Sequence, residues 1–224
     1  MKRWRIIYPD DEIVYRELGH GSNTTLRVRD DGTFNDRDER GGRGSDEGRR
    51  VRIAASGGGL EAHADARIAI PPGKRVELYL AVGQAFVSTV DGDLRIDVAA
   101  ANVTVDDAKG SLLVDTGSGE VTASSVRAND VKIDTGSGNV RLDLLADVRA
   151  LDVDTGSGGV TINVPADLGA EVDIETGSGD IDLQNVTVRT TRLERDHLTG
   201  EIGDGKGRIR IETGSGGVRL VRTK

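Results

Sequence analysis

The chain has 224 residues, of which 31 are glycine and only six are aromatic. Four of the six aromatics lie in the first 34 residues, which argues against surfaces that stack bases or sugar rings over the rest of the chain. Residues 1–50 carry 11 basic and 11 acidic side chains and residues 51–224 carry 19 and 27, so the formal charge of -8 falls on the second part (19 − 27). A binder of nucleic-acid phosphates is therefore disfavoured.

Cysteine is absent, which excludes disulfides, thiolate metal sites and a cysteine nucleophile but leaves the cellular compartment open. The opening MKRWRIIYPDDE has no apolar run of the kind found in secretion signals. No stretch approaches the roughly 18 apolar residues of a membrane-spanning helix, so we expect no direct membrane insertion. We expect an extracytoplasmic or cell-envelope location if a signal has been trimmed, and a cytoplasmic location otherwise.

The N-terminal part, residues 1–50, is predicted to form a cap. Residues 3–8 and 13–17 flank a turn with Pro9 at its second position, which indicates a β-hairpin. Residues 30–50 are rich in glycine and in charges of both signs, which is typical of a mobile loop. The aromatic side chains of the hairpin are expected to cover the first repeat of the domain that follows.

Residues 51–224 contain an internal repeat of about 20 residues. Each strong copy has an acidic residue, the tetrapeptide TGSG, one variable residue and then Val or Ile. Weaker copies fit the same frame at residues 52–60, 80–83, 96–103 and 196–202. The five TGSG copies begin at Thr116, Thr135, Thr155, Thr176 and Thr213.

Apolar and polar residues alternate with period two on both sides of each turn, which predicts two short strands per repeat and no helix. Such a unit buries a continuous interior only when repeats stack on one another, and we expect each coil to lie on the one before it. The predicted fold is all-β: a single-domain parallel β-solenoid, a two-faced roll of about nine rungs, with the N-terminal hairpin as its cap. Exposed edges at the ends of the stack make end-to-end self-association a further expectation.

Comparison between copies orients the residues of the turn. Leu80 and Val98 replace the threonine in weaker copies, so the threonines are expected to point inward and stack. The acid before each threonine then points outward, about 4.8 Å from its neighbours. These carboxylates either accept hydrogen bonds from their own turn amides or bind a cation. The candidate cation patch, with oxygen ligands suited to Ca²⁺, is expected on adjacent rungs and consists of Asp152, Asp154, Asp173 and Glu175.

Catalytic motifs are weak. The TGSG serines lack the GxSxG frame, HExxH is absent, and the three histidines (His20, His63 and His197) are scattered. His197 beside Asp196 fits a solvated or capping role better than that of a general base. We expect no catalytic residues, no cofactor and no resident metal beyond the candidate patch.

The repeated [DE]TGSGx[VI] unit, the turns GDL at 92–94 and KGSL at 109–112, and IETGSGGVRL at 211–220 carry a family resemblance. Over roughly residues 51–222 the chain resembles the bacterial family of adhesin-like β-strand repeats, a domain of unknown function related to the auto-transporter-adhesin head domain. The resemblance implies a β-solenoid that is often exported or envelope-associated, without known catalysis. It supplies no functional residues.

The expected function is a non-enzymatic adhesion or interaction module at the bacterial cell envelope, with an envelope, surface or protein partner. The alternatives are a polysaccharide-acting enzyme and a cytoplasmic scaffold.

Overall fold

The described part of the chain is entirely β-structure. The computed structural model describes residues 12–15, 23–34, 48–57, 60–61 and 65–223, and these form fifteen strands and no helix. The predicted all-β class is confirmed. The strands are β1 (Glu12–Val14), β2 (Asn23–Val28), β3 (Arg49–Ala54), β4 (Leu60–Glu61), β5 (Val76–Ser118), β6 (Val121–Ser137), β7 (Val140–Leu144), β8 (Ala150–Ser157), β9 (Val160–Val164), β10 (Ala170–Thr176), β11 (Ile181–Gln184), β12 (Arg189–Leu193), β13 (His197–Ile202), β14 (Gly207–Thr213) and β15 (Val218–Arg222).

A small sheet of β1 to β4 lies against the first part of β5. Its strand order is β2-β3-β1-β4, with β2 antiparallel to β3 and β1 parallel to both β3 and β4. Phe34 is buried in a cluster with Leu26 and Ala99, and its ring meets that of Tyr79 edge-on at 6.1 Å. Most of the predicted hairpin and residues 35–47 of the predicted loop lie outside the described residues. The domain boundary at residue 50 stays a prediction.

The larger sheet is built from parallel strands in register. Each TGSG turn separates two strands. The strands that precede the turns pair with one another, and the strands that follow the turns pair with one another. Asp134 pairs with Asp154 across β6 and β8, so equivalent residues of neighbouring repeats lie side by side as predicted. Burial alternates along these strands, as in the seven residues of β10, which gives a continuous aliphatic interior.

The order of the repeats in space differs from their order in sequence. Strand β14 pairs with β8 on one side and β10 on the other, and β15 likewise lies between β9 and β11. The expectation that each coil lies on the one before it is therefore wrong for this repeat. All TGSG units present the same hydrogen-bonding edges in the same register. The strands β14 and β15 can therefore pair between two earlier repeats, and not only at the end of the stack.

The weak copy at residues 196–202 is not a parallel rung. It forms β13, which pairs antiparallel with both β10 and β12. The connection from Leu193 to His197 is too short for the crossover that parallel neighbours need, so β12 and β13 form a hairpin. The count of nine rungs, which included this segment, stays a prediction.

The five TGSG threonines form an internal column. Their exposed fractions are between 0% and 4%, and they pair in register along the stack, for example Thr135 with Thr155 and Thr155 with Thr213. The hydroxyl of Thr176 donates to the Gly179 carbonyl at 2.8 Å, within its own turn. The predicted inward orientation is confirmed.

The two glycines of each TGSG turn are required by the close approach of neighbouring turns. A Cβ built on Gly156 would lie 2.6 Å from the carbonyl oxygen of Gly136, and one built on Gly136 would lie 2.6 Å from that of Gly117. Real Cβ atoms do not approach backbone oxygens so closely. The two glycines of the TGSG repeat are therefore explained by packing between turns.

Candidate interaction surface

The acid that precedes each TGSG turn faces outward, because the threonine that follows it is buried. These acids are in register on neighbouring strands, and neighbouring parallel strands lie about 4.8 Å apart. Asp154 and Glu175 are exposed and the other three are partly buried. We call this set the acidic row; in spatial order it consists of Asp115, Asp134, Asp154, Glu212 and Glu175.

At the centre of the acidic row, neighbouring like charges disfavour the ionised carboxylate of Asp154. Partial burial and the charges of Asp134, Glu212 and Asp152 raise the pKa of Asp154, and Arg210 opposes the shift. Two like charges about 4 Å apart repel by about 1 kcal/mol even in water. The like charges of the row therefore disfavour the ionised form of Asp154.

The predicted cation patch is not assembled. Asp152 and Asp154 lie on β8 and Asp173 and Glu175 on β10, but β14 separates the two strands. Its Arg210 stands in register between Asp152 and Asp173 and forms an ion pair with Glu212. The expectation that the four carboxylates occupy adjacent strands is wrong. Within the described residues, no group of three or more His, Asp or Glu side chains is placed to hold a metal ion.

His197 lies at the end of the acidic row. It stands opposite Glu175 across the antiparallel pair, and its Nε2 is 3.0 Å from an Asp173 carboxylate oxygen. The neighbouring Asp196 accepts the Thr176 amide through its backbone carbonyl at 2.8 Å. His197 therefore contacts an acid of the next strand rather than Asp196. His20 and His63 lie outside the described residues.

The family follows from a comparison with known protein families. Residues 68–221 match the family model described as Toastrack DUF4097. The chain belongs to the Toastrack DUF4097 family. It is a domain of unknown function with a β-strand-repeat, β-solenoid-like fold. No adhesin relation accompanies the match, so the adhesin part of the expected resemblance stays a hypothesis.

No curated protein and no solved structure gives a significant match to this Toastrack chain. The structure also holds, among the residues it describes, no helix with the length and apolar character to cross a membrane. The family therefore establishes the architecture of residues 68–221 and leaves the function of the domain unassigned.

The acidic row of this Toastrack domain predicts a pH-dependent stability. Folding raises the pKa of Asp154, so its carboxylate destabilises the fold at neutral pH and the penalty disappears as the pH falls below the ordinary aspartate pKa of about 4. Asp154→Asn should raise the free energy of unfolding at neutral pH by less than ~1 kcal/mol, because solvent screens this exposed side chain. In acid the gain should vanish. Urea denaturation at neutral and acid pH measures both.

Asp182 provides a control, because its pKa is shifted in the direction opposite to that of Asp154. Hydrogen bonds from Gln184 and Arg219 lower the pKa of Asp182, so its charge stabilises the fold above the ordinary pKa and the benefit is lost as the pH falls. Asp182→Asn should therefore lower stability at neutral pH and have no effect in acid. Equal behaviour of the two variants at neutral pH would contradict the assigned electrostatics.

Proposed function

We propose that this Toastrack domain is a non-enzymatic interaction module that binds a positively charged envelope, surface or protein partner through the acidic row. The observation that carries the proposal is the register of the row: carboxylates from five neighbouring strands repeat at the strand spacing. A partner with several cationic groups can contact many of them at once. Its affinity then comes from the number of weak contacts rather than from one strong one.

The charge of the domain supports a partner other than nucleic acid. The formal net charge is -8, which opposes binding to phosphate backbones. At the centre of the row, partial burial and neighbouring carboxylates raise the pKa of Asp154, so a cationic partner would relieve repulsion when it binds. We place the domain at the bacterial cell envelope, presented as a two-faced roll and without insertion into the membrane. An adhesive role belongs to this proposal.

The proposal is tested by co-sedimentation of the purified chain with washed envelope fragments and, separately, with the soluble cytosolic fraction of the source organism. The variant Asp134→Asn/Asp154→Asn/Glu212→Gln removes the centre of the row. It is expected to fold, because it relieves the repulsion around Asp154 and the ion pair of Glu212 with Arg210 that it removes lies at the surface. It should bind envelope fragments at least ~10-fold more weakly, since each exposed ion pair contributes up to about 1 kcal/mol. Binding of the unmodified chain should also weaken with added salt.

The matched control removes three acids elsewhere, in Asp91→Asn/Glu120→Gln/Asp147→Asn. It has the same net charge as the test variant and should bind as the unmodified chain does. Equal losses in the two triple variants would overturn the role of the row. Preferential binding to the cytosolic fraction would favour a scaffold. Turnover of a polysaccharide by the unmodified chain that is lost in His197→Ala would favour an enzyme. Either result overturns the proposal.

A further inference from the structure

Arg222 occupies a position that the fold reserves for apolar side chains. Alternation along β15 buries Val218 and Leu220, and Arg222 continues the same phase. Its register partner on β9 is Val164, whose exposed fraction is 0%. A charged side chain at an inward position is costly unless it is paired.

Among the residues that the structure describes, Arg222 has no such pairing. Its Nε is buried and finds no hydrogen-bond partner, and among residues 65–223 no ion pair to its guanidinium is present. Arg219, three residues earlier and facing outward, donates to an Asp182 carboxylate oxygen at 2.9 Å. Strand β15 thus carries an ion-paired arginine on the surface and, at the edge of the interior, an arginine without an ion pair among the described residues.

Arg222 lines a cavity of about 340 Å³ between the β9–β10 connection and the β12–β13 hairpin. This volume lies in the range of small-molecule sites, which starts at about 300 Å³. The exposed Ala166 contributes apolar surface to its wall. The cavity is therefore suited to a small ligand with an apolar part and a group that pairs with arginine.

The other charges of the cavity limit the ligand. Arg189 also lines it, but its NH2 donates to a Glu201 carboxylate oxygen at 2.7 Å and to the Gly203 carbonyl at 3.3 Å. The Arg189 and Glu201 charges thus neutralise each other. Asp167, exposed at the cavity, remains as the one other charge. It disfavours a dianion such as a phosphate monoester.

We propose that this cavity binds a small ligand through a single carboxylate group held by Arg222. The planar guanidinium fork matches a carboxylate with two parallel hydrogen bonds, and the ligand's apolar part lies against Ala166. The site does not involve the acidic row and does not depend on the function proposed for it.

The test is a titration of the full chain followed through the backbone amide NMR signals of Leu168 and Gly203. The probes are N-acetylalanine, which carries one carboxylate, N-acetylalaninamide, in which an uncharged amide replaces that carboxylate, and inorganic phosphate. N-acetylalanine should shift both signals saturably and more tightly than phosphate, and N-acetylalaninamide should not shift them. Saturable shifts with N-acetylalaninamide, tighter binding of phosphate, or no saturation with N-acetylalanine would overturn the assignment.

Arg222→Gln should weaken N-acetylalanine binding at least ~10-fold, as expected for loss of a charge-assisted pair. Arg141→Gln, at an exposed position of β7, is the matched control and should bind normally. Arg222→Met should abolish binding and raise the melting temperature, because it replaces an unpaired charge with an apolar chain at an inward position. Unchanged binding in either Arg222 variant, or a lower melting temperature in Arg222→Met, would contradict the proposal.

Discussion

Replacing Ile211 by alanine is expected to lower the free energy of unfolding by about 2–5 kcal/mol. Ile211 is fully buried and stands in register between Val153 of β8 and Ile174 of β10. Removing three carbons there leaves a cavity between strands on both sides. If the repeats were stacked in sequence order, Ile211 would belong to the last TGSG unit, with a neighbour on one side only. Urea denaturation followed by circular dichroism measures the loss.

Two other isoleucines calibrate this result. Ile133→Ala removes the same atoms from a fully buried position of β6 and should cost about as much. Ile68→Ala acts on a side chain that is 74% exposed and should change stability by no more than about 0.5 kcal/mol. If Ile211→Ala behaved like Ile68→Ala, β14 would not lie inside the stack.

Replacing Gly158 by alanine is expected to destabilise the fold by about 3 kcal/mol, the upper part of the usual range for overpacking. A Cβ on Gly158 would overlap the backbone carbonyl of Gly138 in the neighbouring turn. Because backbone atoms cannot rotate away as a side chain can, the two turns would have to separate, and the hydrogen bonds between their strands would weaken. Thermal unfolding of the purified variant measures the effect.

The adjacent glycine is the matched control. A Cβ on Gly159 would lie 3.6 Å from its nearest neighbours, the Asn139 side-chain oxygen and the Gly217 carbonyl oxygen, which is ordinary contact. Gly159→Ala should therefore change stability by less than about 1 kcal/mol. Equal stability of the two alanine variants would show that the turns do not approach each other as closely as the structure places them.

The local geometry of the repeats could be predicted because each residue of the TGSG unit has one physical reason for its place. The threonine position tolerates Leu80 and Val98, which indicates an inward side chain, and alternation then directs the preceding acid outward. Register follows, since identical turns stack on identical turns. The column of buried threonines and the pairing of Asp134 with Asp154 required no further information.

The order of the repeats could not be predicted, because periodicity determines register but not which repeat is the neighbour. The sequence contains one sign of an interruption. The spacing from Thr176 to Thr213 is nearly twice the usual one, and only the weak copy at residues 196–202 lies between them. That copy lacks the TGSG turn, so it can join the sheet as an antiparallel hairpin strand.

The difference between the sequence order and the spatial order of the repeats affects the candidate sites unequally. The acidic row remains a row, because Glu212 replaces Glu175 as the neighbour of Asp154 with the same charge. The cation patch is not formed, because Arg210 lies between its two pairs of carboxylates. The inward phase of Arg222 was readable from Val218 and Leu220, but its cavity depends on the β12–β13 hairpin, which alternation does not predict.

The position of β14 and β15 between earlier repeats has a consequence for synthesis on the ribosome. When β8 and β9 emerge, they can pair with β6 and β7, but β10 and β11 cannot yet take their final places, because β14 and β15 have not been translated. Co-translational folding can therefore proceed through β9 but must stop there, with a provisional edge at β8 and β9. Contacts between distant segments also slow the search for the native state. During that interval the exposed edge is open to pairing with another nascent chain.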